Sequence, residues 1–303
     1  MPLWAIALTT GGTGMNDTRE ILRMQMPEFR RTTSGFSILM NSLVLFFFMG
    51  TLTAGETSSA DPNVPASDAA LNDALVQARK SVGTFWDQFR SVTCVEKVTQ
   101  EKLGKHGKVD YSQKSIFDYL VLLNAGKDDL FVEESRLQQG KKNKEKNIPL
   151  LIANGLPTLI LVFHPYYQED FSYQLEGDEI VGGRRLVKVR FKHVPGTKST
   201  TALRLRGRDY PLDIEGTAWL DPATGAIHRI EAGLATPMPE HNLKVLRMEV
   251  SYNQYEFPSV DGVSWLPSTA TVNIETERQH WRNTHRYSSY KKFTVNTEEI
   301  VSR

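Results

Sequence analysis

The chain has 303 residues, 40% of them hydrophobic and 23% charged, which supplies a packed core and excludes a wholly disordered chain. Its 36 Lys and Arg residues nearly balance its 35 Asp and Glu residues, for a net charge of +1. This balance provides no global field to recruit nucleic acid and argues against a general DNA- or RNA-binding protein. The single cysteine, Cys94, excludes an intramolecular disulfide and a cysteine-based zinc cluster.

The most apolar window, Phe36 to Ala54, follows the basic pair Arg30 and Arg31 and precedes a stretch of small residues. This order of regions is typical of a secretory signal peptide. Two interpretations stay open: a cleaved signal, or an uncleaved signal-anchor that contacts the membrane, since 19 residues just span a bilayer core. Both predict a periplasmic globular part, which is either released or anchored to the inner membrane.

Three regions follow along the chain. Residues 1–60 are predicted to form an N-terminal extension with the export signal, 61–66 a linker, and 67–303 one domain. The domain begins with a helix predicted over 69–90, because apolar residues recur there at three- and four-residue steps and form one apolar face.

Alternation of apolar and polar residues predicts strands over most of the remaining chain. They are expected at 92–102, 108–123, 130–137, 175–181, 184–193, 218–221, 226–232, 245–252, 263–275 and 280–295. The uncharged segment from Ile148 to Phe163, with its two prolines and a glycine, is instead predicted as short helical pieces. We therefore predict an α+β fold: a curved antiparallel sheet forming an unclosed half-barrel, with a long N-terminal helix and a helical insertion covering its concave face.

This layout resembles the LolA/LolB-like superfamily of outer-membrane lipoprotein-sorting proteins. The resemblance rests on the helix end and first strand FWDQFRSVTCVEKVTQEK, the apolar insertion, and the hairpin GTAWLDPATGAIHRIEA, and extends over residues 67 to 296. It implies an apolar cavity that accepts the acyl chains of lipids or lipoproteins. It also implies, from a stress-sensing relative of the fold, another envelope protein as a partner.

The predicted cavity is lined by apolar residues of the strands and closed by apolar residues of the insertion. They are Val189, Phe191, Leu246, Met248, Val250, Val272 and Ile274 on the strands, and Leu151, Leu159 and Phe163 in the insertion. The first hypothesis is a non-enzymatic periplasmic protein that carries or senses an acyl-bearing ligand. The alternative is an envelope scaffold or regulatory, stress-sensing module of the same fold, in which these positions are ordinary core and no ligand binds.

Arg204, Arg206 and Arg208 alternate along the sequence and are predicted to share one strand face. Such a face would dock anionic lipid headgroups or an acidic partner, whereas the simpler interpretation is a solvated loop.

No catalytic, metal or cofactor site is predicted. The sequence contains neither HExxH nor GxSxG. His280 and His285 are five residues apart, which places them on opposite faces of a strand. The adjacent residues Glu133 and Glu134 diverge for the same reason, and Cys94 is expected to be a small buried side chain. We therefore expect no cluster of titratable groups.

Overall fold

The computed structural model describes residues 4–8, 66–90, 92–125, 130–140, 151–205, 208–257 and 260–292. Within these ranges the α-helix is α1 (Ala66–Phe89), and 3₁₀-helices occur at Lys105–Gly107, Leu156–Phe163, Pro165–Asp170 and Pro239–His241. The strands are β1 (Trp4–Leu8), β2 (Val92–Leu103), β3 (Val109–Ala125), β4 (Leu130–Gln138), β5 (Leu151–Ala153), β6 (Phe171–Val181), β7 (Arg184–His193), β8 (Thr201–Leu205), β9 (Arg208–Pro211), β10 (Ile214–Leu220), β11 (Ile227–Leu234), β12 (Leu243–Phe257), β13 (Val260–Thr276) and β14 (His280–Lys292).

The main sheet has ten strands in the order β4-β3-β2-β14-β13-β12-β11-β10-β7-β6. Every neighbouring pair is antiparallel, and β4 and β6 form its two edges. The two edges do not pair with each other, so the sheet is an unclosed half-barrel, and the predicted α+β fold is confirmed. We call the side of this sheet that α1 covers its inner face.

Helix α1 lies where its apolar periodicity predicts. Its buried positions recur at three- and four-residue steps, namely Leu75, Ala78, Val82, Phe85, Trp86 and Phe89. The turn between β10 and β11 approaches the helix closely at Gly225, which has a φ of +69°. A Cβ atom at this glycine would lie 2.2 Å from the carbonyl carbon of Gln77. Only glycine therefore allows this approach, which fixes the helix against the β10–β11 turn.

The insertion between β4 and β6 combines a short strand, β5, with 3₁₀-helices. We call Leu156–Phe163 the cover segment. Gly155 precedes it in a left-handed conformation, with a φ of 69°, and Pro157 stands in its first turn. All eight residues of the cover segment are buried, and it contacts α1, β11, β12 and β13. The predicted helical pieces are thus confirmed as 3₁₀-helix, whereas β5 was not predicted.

A second sheet of four strands has the order β5-β1-β8-β9. In it β1 runs antiparallel to β5 and parallel to β8. Strand β1 was not predicted, and the single strand expected to carry Arg204 and Arg208 is instead two strands, β8 and β9. The predicted export signal at Phe36 to Ala54 lies outside the described residues, and no described helix has the length and apolarity needed to cross a membrane.

Candidate functional site

The inner face of the main sheet gathers the predicted cavity residues. Nine of the ten belong to one hydrophobic cluster, and each of the nine is at most 2% exposed. The tenth, Leu151, lies in β5, and its side chain is outside the described part of the chain. Two of them, Val189 and Val250, belong to a line of directly paired residues that crosses five neighbouring strands. We call this line the apolar row, which consists of Val189, Ala218, Ile230, Val250 and Ala270.

Two tyrosines fasten the cover segment to the sheet, one near each end. The hydroxyl of Tyr252 on β12 donates to the carbonyl oxygen of Pro157 at 2.9 Å. The hydroxyl of Tyr173 on β6 donates to the carbonyl oxygen of Val162 at 2.6 Å. Burial raises the pKa of both hydroxyls, so both stay neutral donors.

The near-complete burial of these side chains is compatible with both hypotheses drawn from the sequence. They form a packed core with the cover segment in place. A groove of about 490 Å³ lies on the opposite side of the same strands. Its lining includes charged side chains, Glu215, Glu231, Arg247 and Glu249. That groove therefore does not offer the apolar surface that an acyl chain needs.

A buried ionic cluster occupies the other part of the inner face, on β2, β4 and β14. We define it as Glu96, Glu134, Arg136 and His285. The guanidinium of Arg136 donates to both carboxylate oxygens of Glu96, at 2.6 and 3.1 Å, and to Glu134 at 2.7 Å. The Nδ1 atom of His285 lies 2.8 Å from Glu96 Oε1. The side chain of Glu96 is fully buried and that of Arg136 is 18% exposed.

The ionic cluster also binds the chain just before the cover segment. Arg136 donates to Asn154 Oδ1 at 2.6 Å, and Glu134 accepts hydrogen bonds from the backbone N–H of Gly155 and from the hydroxyl of Tyr119. The cluster therefore joins the sheet to the start of the cover segment.

The electrostatic state of Glu96 follows from these contacts. Burial alone would raise the pKa of its carboxyl. The hydrogen bond with His285, and the charge and hydrogen bonds of Arg136, outweigh burial and lower the pKa from 4.5 to about 2. Glu96 is therefore an ionised carboxylate in the interior, which is stable only because its partners are in place.

The expectation that no titratable groups converge is wrong. The four residues come from three strands, and only the pairing of β4, β3, β2 and β14 brings them together. A signal was present in the sequence: Glu96 is in phase with the buried residues Val92, Cys94 and Val98 of β2. A charge at such a position predicts a buried partner of opposite sign.

Two other predicted placements hold, those of the histidines on β14 and of Cys94. His285 is buried and His280 is not, so the two histidines lie on opposite faces as expected. Cys94 is buried, and burial raises the pKa of its thiol to about 12, as expected of a small core side chain that does not form a thiolate. Within the described ranges no group of three or more His, Cys, Asp and Glu is placed to hold a metal ion.

The predicted shared face of the arginines is wrong. The chain reverses between β8 and β9, so Arg208 pairs with Leu205 while Arg204 pairs with Asp209. Adjacent positions of a strand face opposite sides, which puts Arg204 and Arg208 on opposite faces of the hairpin. The guanidinium of Arg204 also binds the carboxylate of Asp209 at 2.6 and 2.8 Å. Arg206 lies outside the described residues, and docking of anionic headgroups stays a prediction.

No protein-family model matches the sequence, and no curated protein matches it. Among solved structures the chain is similar to a DUF1329 family protein from Desulfovibrio piger, with 11% identity over 75% of this chain and 95% of that chain and a TM-score of 0.42. It is similar to a LolA superfamily protein from Nitrosomonas europaea, with 10% identity, 77% and 96% coverage and a TM-score of 0.35. A third is an outer membrane lipoprotein-sorting protein domain from Vibrio parahaemolyticus, with 10% identity, 75% and 95% coverage and a TM-score of 0.40.

Proposed function

We propose that this protein is a non-enzymatic binding protein of the periplasm that takes up the acyl chain of a lipid or lipoprotein on the inner face of its sheet. The observation that carries the proposal is the cover segment. Eight consecutive buried residues without a charge form a 3₁₀-helix over the apolar strands, and they are fastened near each end by one tyrosine hydroxyl.

The cover segment is the element that an acyl chain can displace most easily. A 3₁₀-helix has poorer hydrogen-bond geometry than an α-helix and rarely exceeds four residues. The eight-residue cover segment therefore depends on its contacts with the sheet more than on its own backbone. An acyl chain offers the same apolar surface, since each buried methylene contributes about 0.8 kcal/mol. Exchange of the cover segment for an acyl chain consequently costs little, apart from the two tyrosine bonds.

We expect the double variant Tyr173→Phe with Tyr252→Phe to take up a fluorescent fatty acid faster than the wild type. Each lost hydrogen bond lowers the cost of opening by about 1 kcal/mol, so the uptake rate should rise by roughly tenfold or more. Stopped-flow fluorescence with a polyene fatty acid measures this rate directly.

The matched control for this experiment is Tyr290→Phe. The Tyr290 hydroxyl also donates to a backbone carbonyl, that of Pro267, at 2.6 Å, but the bond lies within the main sheet. This variant should lose similar stability without a faster uptake. Equal rates for all proteins, or acceleration by the control as well, would show that the cover segment does not gate the site.

A ligand-free envelope scaffold or regulatory module is the second candidate, favoured by the near-complete burial of the predicted cavity residues. The two candidates differ in what the protein retains. If the protein binds an acyl ligand, native mass spectrometry after purification from the periplasm should show an added mass that organic extraction removes. If the protein retains no lipid and binds none that is added, the scaffold candidate is the correct one.

Export would separate β1 from the exported domain. A cleaved signal at Phe36 to Ala54 removes Trp4–Leu8, and an anchored one leaves these residues on the cytoplasmic side. Neither exported form can therefore contain β1 between β5 and β8. If the signal is cleaved, we expect N-terminal sequencing of the periplasmic protein to start after Gly55 or Ala60. Recovery of the intact chain from the cytoplasm, with Trp4–Leu8 protected from proteolysis, would contradict export.

A further inference from the structure

We propose that the acyl ligand carries a neutral head group with both a carbonyl and a hydroxyl or N–H, and that Tyr287 and His285 bind it at the end of the apolar row. This inference rests on the proposed function and specifies its ligand class. A monoacylglycerol and an N-acyl amide have this chemistry, whereas an ionised fatty acid carries a charge and offers acceptors only.

The first observation is a pair of buried polar atoms on β14. Nε2 of His285 and the hydroxyl oxygen of Tyr287 have no hydrogen-bond partner in the described part of the chain. The two residues are 3% and 4% exposed. They lie two positions apart on one strand, so both side chains project from the inner face, with ring centroids 6.4 Å apart. Buried polar atoms without a partner destabilise the folded protein, and a ligand that pairs with both recovers this free energy.

The second observation assigns the hydrogen-bonding role of each atom. The ionised carboxylate of Glu96 only accepts, so Nδ1 of His285 must carry the proton between them. In the tautomer with its single proton on Nδ1, Nε2 carries a free lone pair and accepts a hydrogen bond from a hydroxyl or N–H. Burial raises the pKa of Tyr287, so its hydroxyl stays protonated and can donate to a carbonyl oxygen.

The third observation is the charge around the two atoms. The groups around Tyr287 are the carboxylates of Glu96 on β2 and Glu134 on β4, the guanidinium of Arg136, the thiol of Cys94 and the ring of Tyr119 on β3. Two buried carboxylates thus share one guanidinium. A third carboxylate, from an ionised fatty acid, would add like charge beside the carboxylates of Glu96 and Glu134. The cluster therefore selects against an anionic head group.

The fourth observation is the position of His285 relative to the apolar row. In the strand register His285 stands opposite Ala270, so it follows directly after the last member of the row. From β14 to β7 the row crosses five strand spacings, or about 24 Å. A head group at His285 would thus leave its tail lying along apolar side chains for a length comparable to that of a long acyl chain.

The test compares two probes on the full chain, 1-monooleoylglycerol and oleate, by calorimetry at about pH 8, where oleate is ionised. We expect the wild type to bind 1-monooleoylglycerol about tenfold or more tightly than oleate. Tyr287→Phe should weaken binding of 1-monooleoylglycerol by about fivefold and leave oleate unchanged. Tyr111→Phe is the matched control, because its hydroxyl is already bonded to Gln113 at 3.0 Å, and it should change neither affinity.

The outcomes separate this inference from the proposed function. Equal affinities of the wild type for both probes, or unchanged binding of 1-monooleoylglycerol by Tyr287→Phe, would overturn the head-group assignment and leave acyl binding intact. Binding of neither probe would overturn both. The comparison of probes on the wild type does not depend on how well any variant folds.

Discussion

Val272→Asp is expected to abolish folding of the domain. Val272 is 0% exposed and stands on β13 between Met248 of β12 and Asn283 of β14. Neither of these two residues is a cation, and the nearby apolar row contains none. The new carboxylate would therefore be buried without a counter-charge. The free-energy cost of burying this charge is comparable to the whole unfolding free energy of a typical domain, about 5–15 kcal/mol. Circular dichroism and thermal unfolding measure the loss directly, and Val250→Asp should behave alike.

The control for Val272→Asp is the adjacent residue on the opposite face. Asn273 pairs with Arg247 and Arg282 in the strand register and is only partly buried. Asn273→Asp places the same charge beside two cations in contact with solvent, so its unfolding free energy should change by less than about 1 kcal/mol. A similar melting temperature for Val272→Asp and Asn273→Asp would show that the assignment of faces on β13 is wrong.

Period-two alternation predicted the strands well because it reports directly which face of a strand is buried. In β12, Leu246, Met248 and Val250 are buried while Arg247 and Glu249 are exposed, as the sequence indicates. The same logic failed between β8 and β9. Alternating arginines look like one continuous strand, but Arg204 and Arg208 lie on two antiparallel strands. Alternation does not show where one strand ends and the next begins.

The ionic cluster could not be predicted from periodicity because it depends on which strands are neighbours. Arg136 is 40 residues from Glu96, and His285 is 189 residues from it. Alternation assigns Glu96 to the inner face of β2, yet the partners that stabilise it there are fixed only by the order β4-β3-β2-β14. The cover segment was predictable in part, since a run without charge must be buried, but its 3₁₀ form and its two tyrosine bonds arise from tertiary packing.

The ionic cluster gives the second large expected effect, through Glu96→Gln. The amide would present N–H groups to Arg136 and His285, which are donors themselves, and would leave the guanidinium with one carboxylate instead of two. Removing one partner of a buried ion pair costs about 3–5 kcal/mol. Urea unfolding near neutral pH should show a loss of this size.

The matched control is Glu101→Gln on the same strand. Glu101 pairs with Arg282 at 2.8 Å, but the two side chains are 19% and 40% exposed. Water and salt screen this pair, so its loss should cost at most about 1 kcal/mol. Equal losses in the two variants would mean that the Glu96 carboxylate is not held in the interior by its partners.

The pH dependence of Glu96→Gln distinguishes a lost charge from a simple packing defect. The pKa of Glu96 is lowered in the folded protein from 4.5 to about 2. Its contribution to stability is therefore complete above about pH 4.5 and is lost as the pH falls toward 2, by an amount on the order of 3 kcal/mol. The wild type should lose this stability between pH 5 and 2, whereas Glu96→Gln has no such group to protonate and should lose less. Parallel stability curves for the two proteins over this range would show that the Glu96 carboxylate does not titrate as its contacts with Arg136 and His285 require.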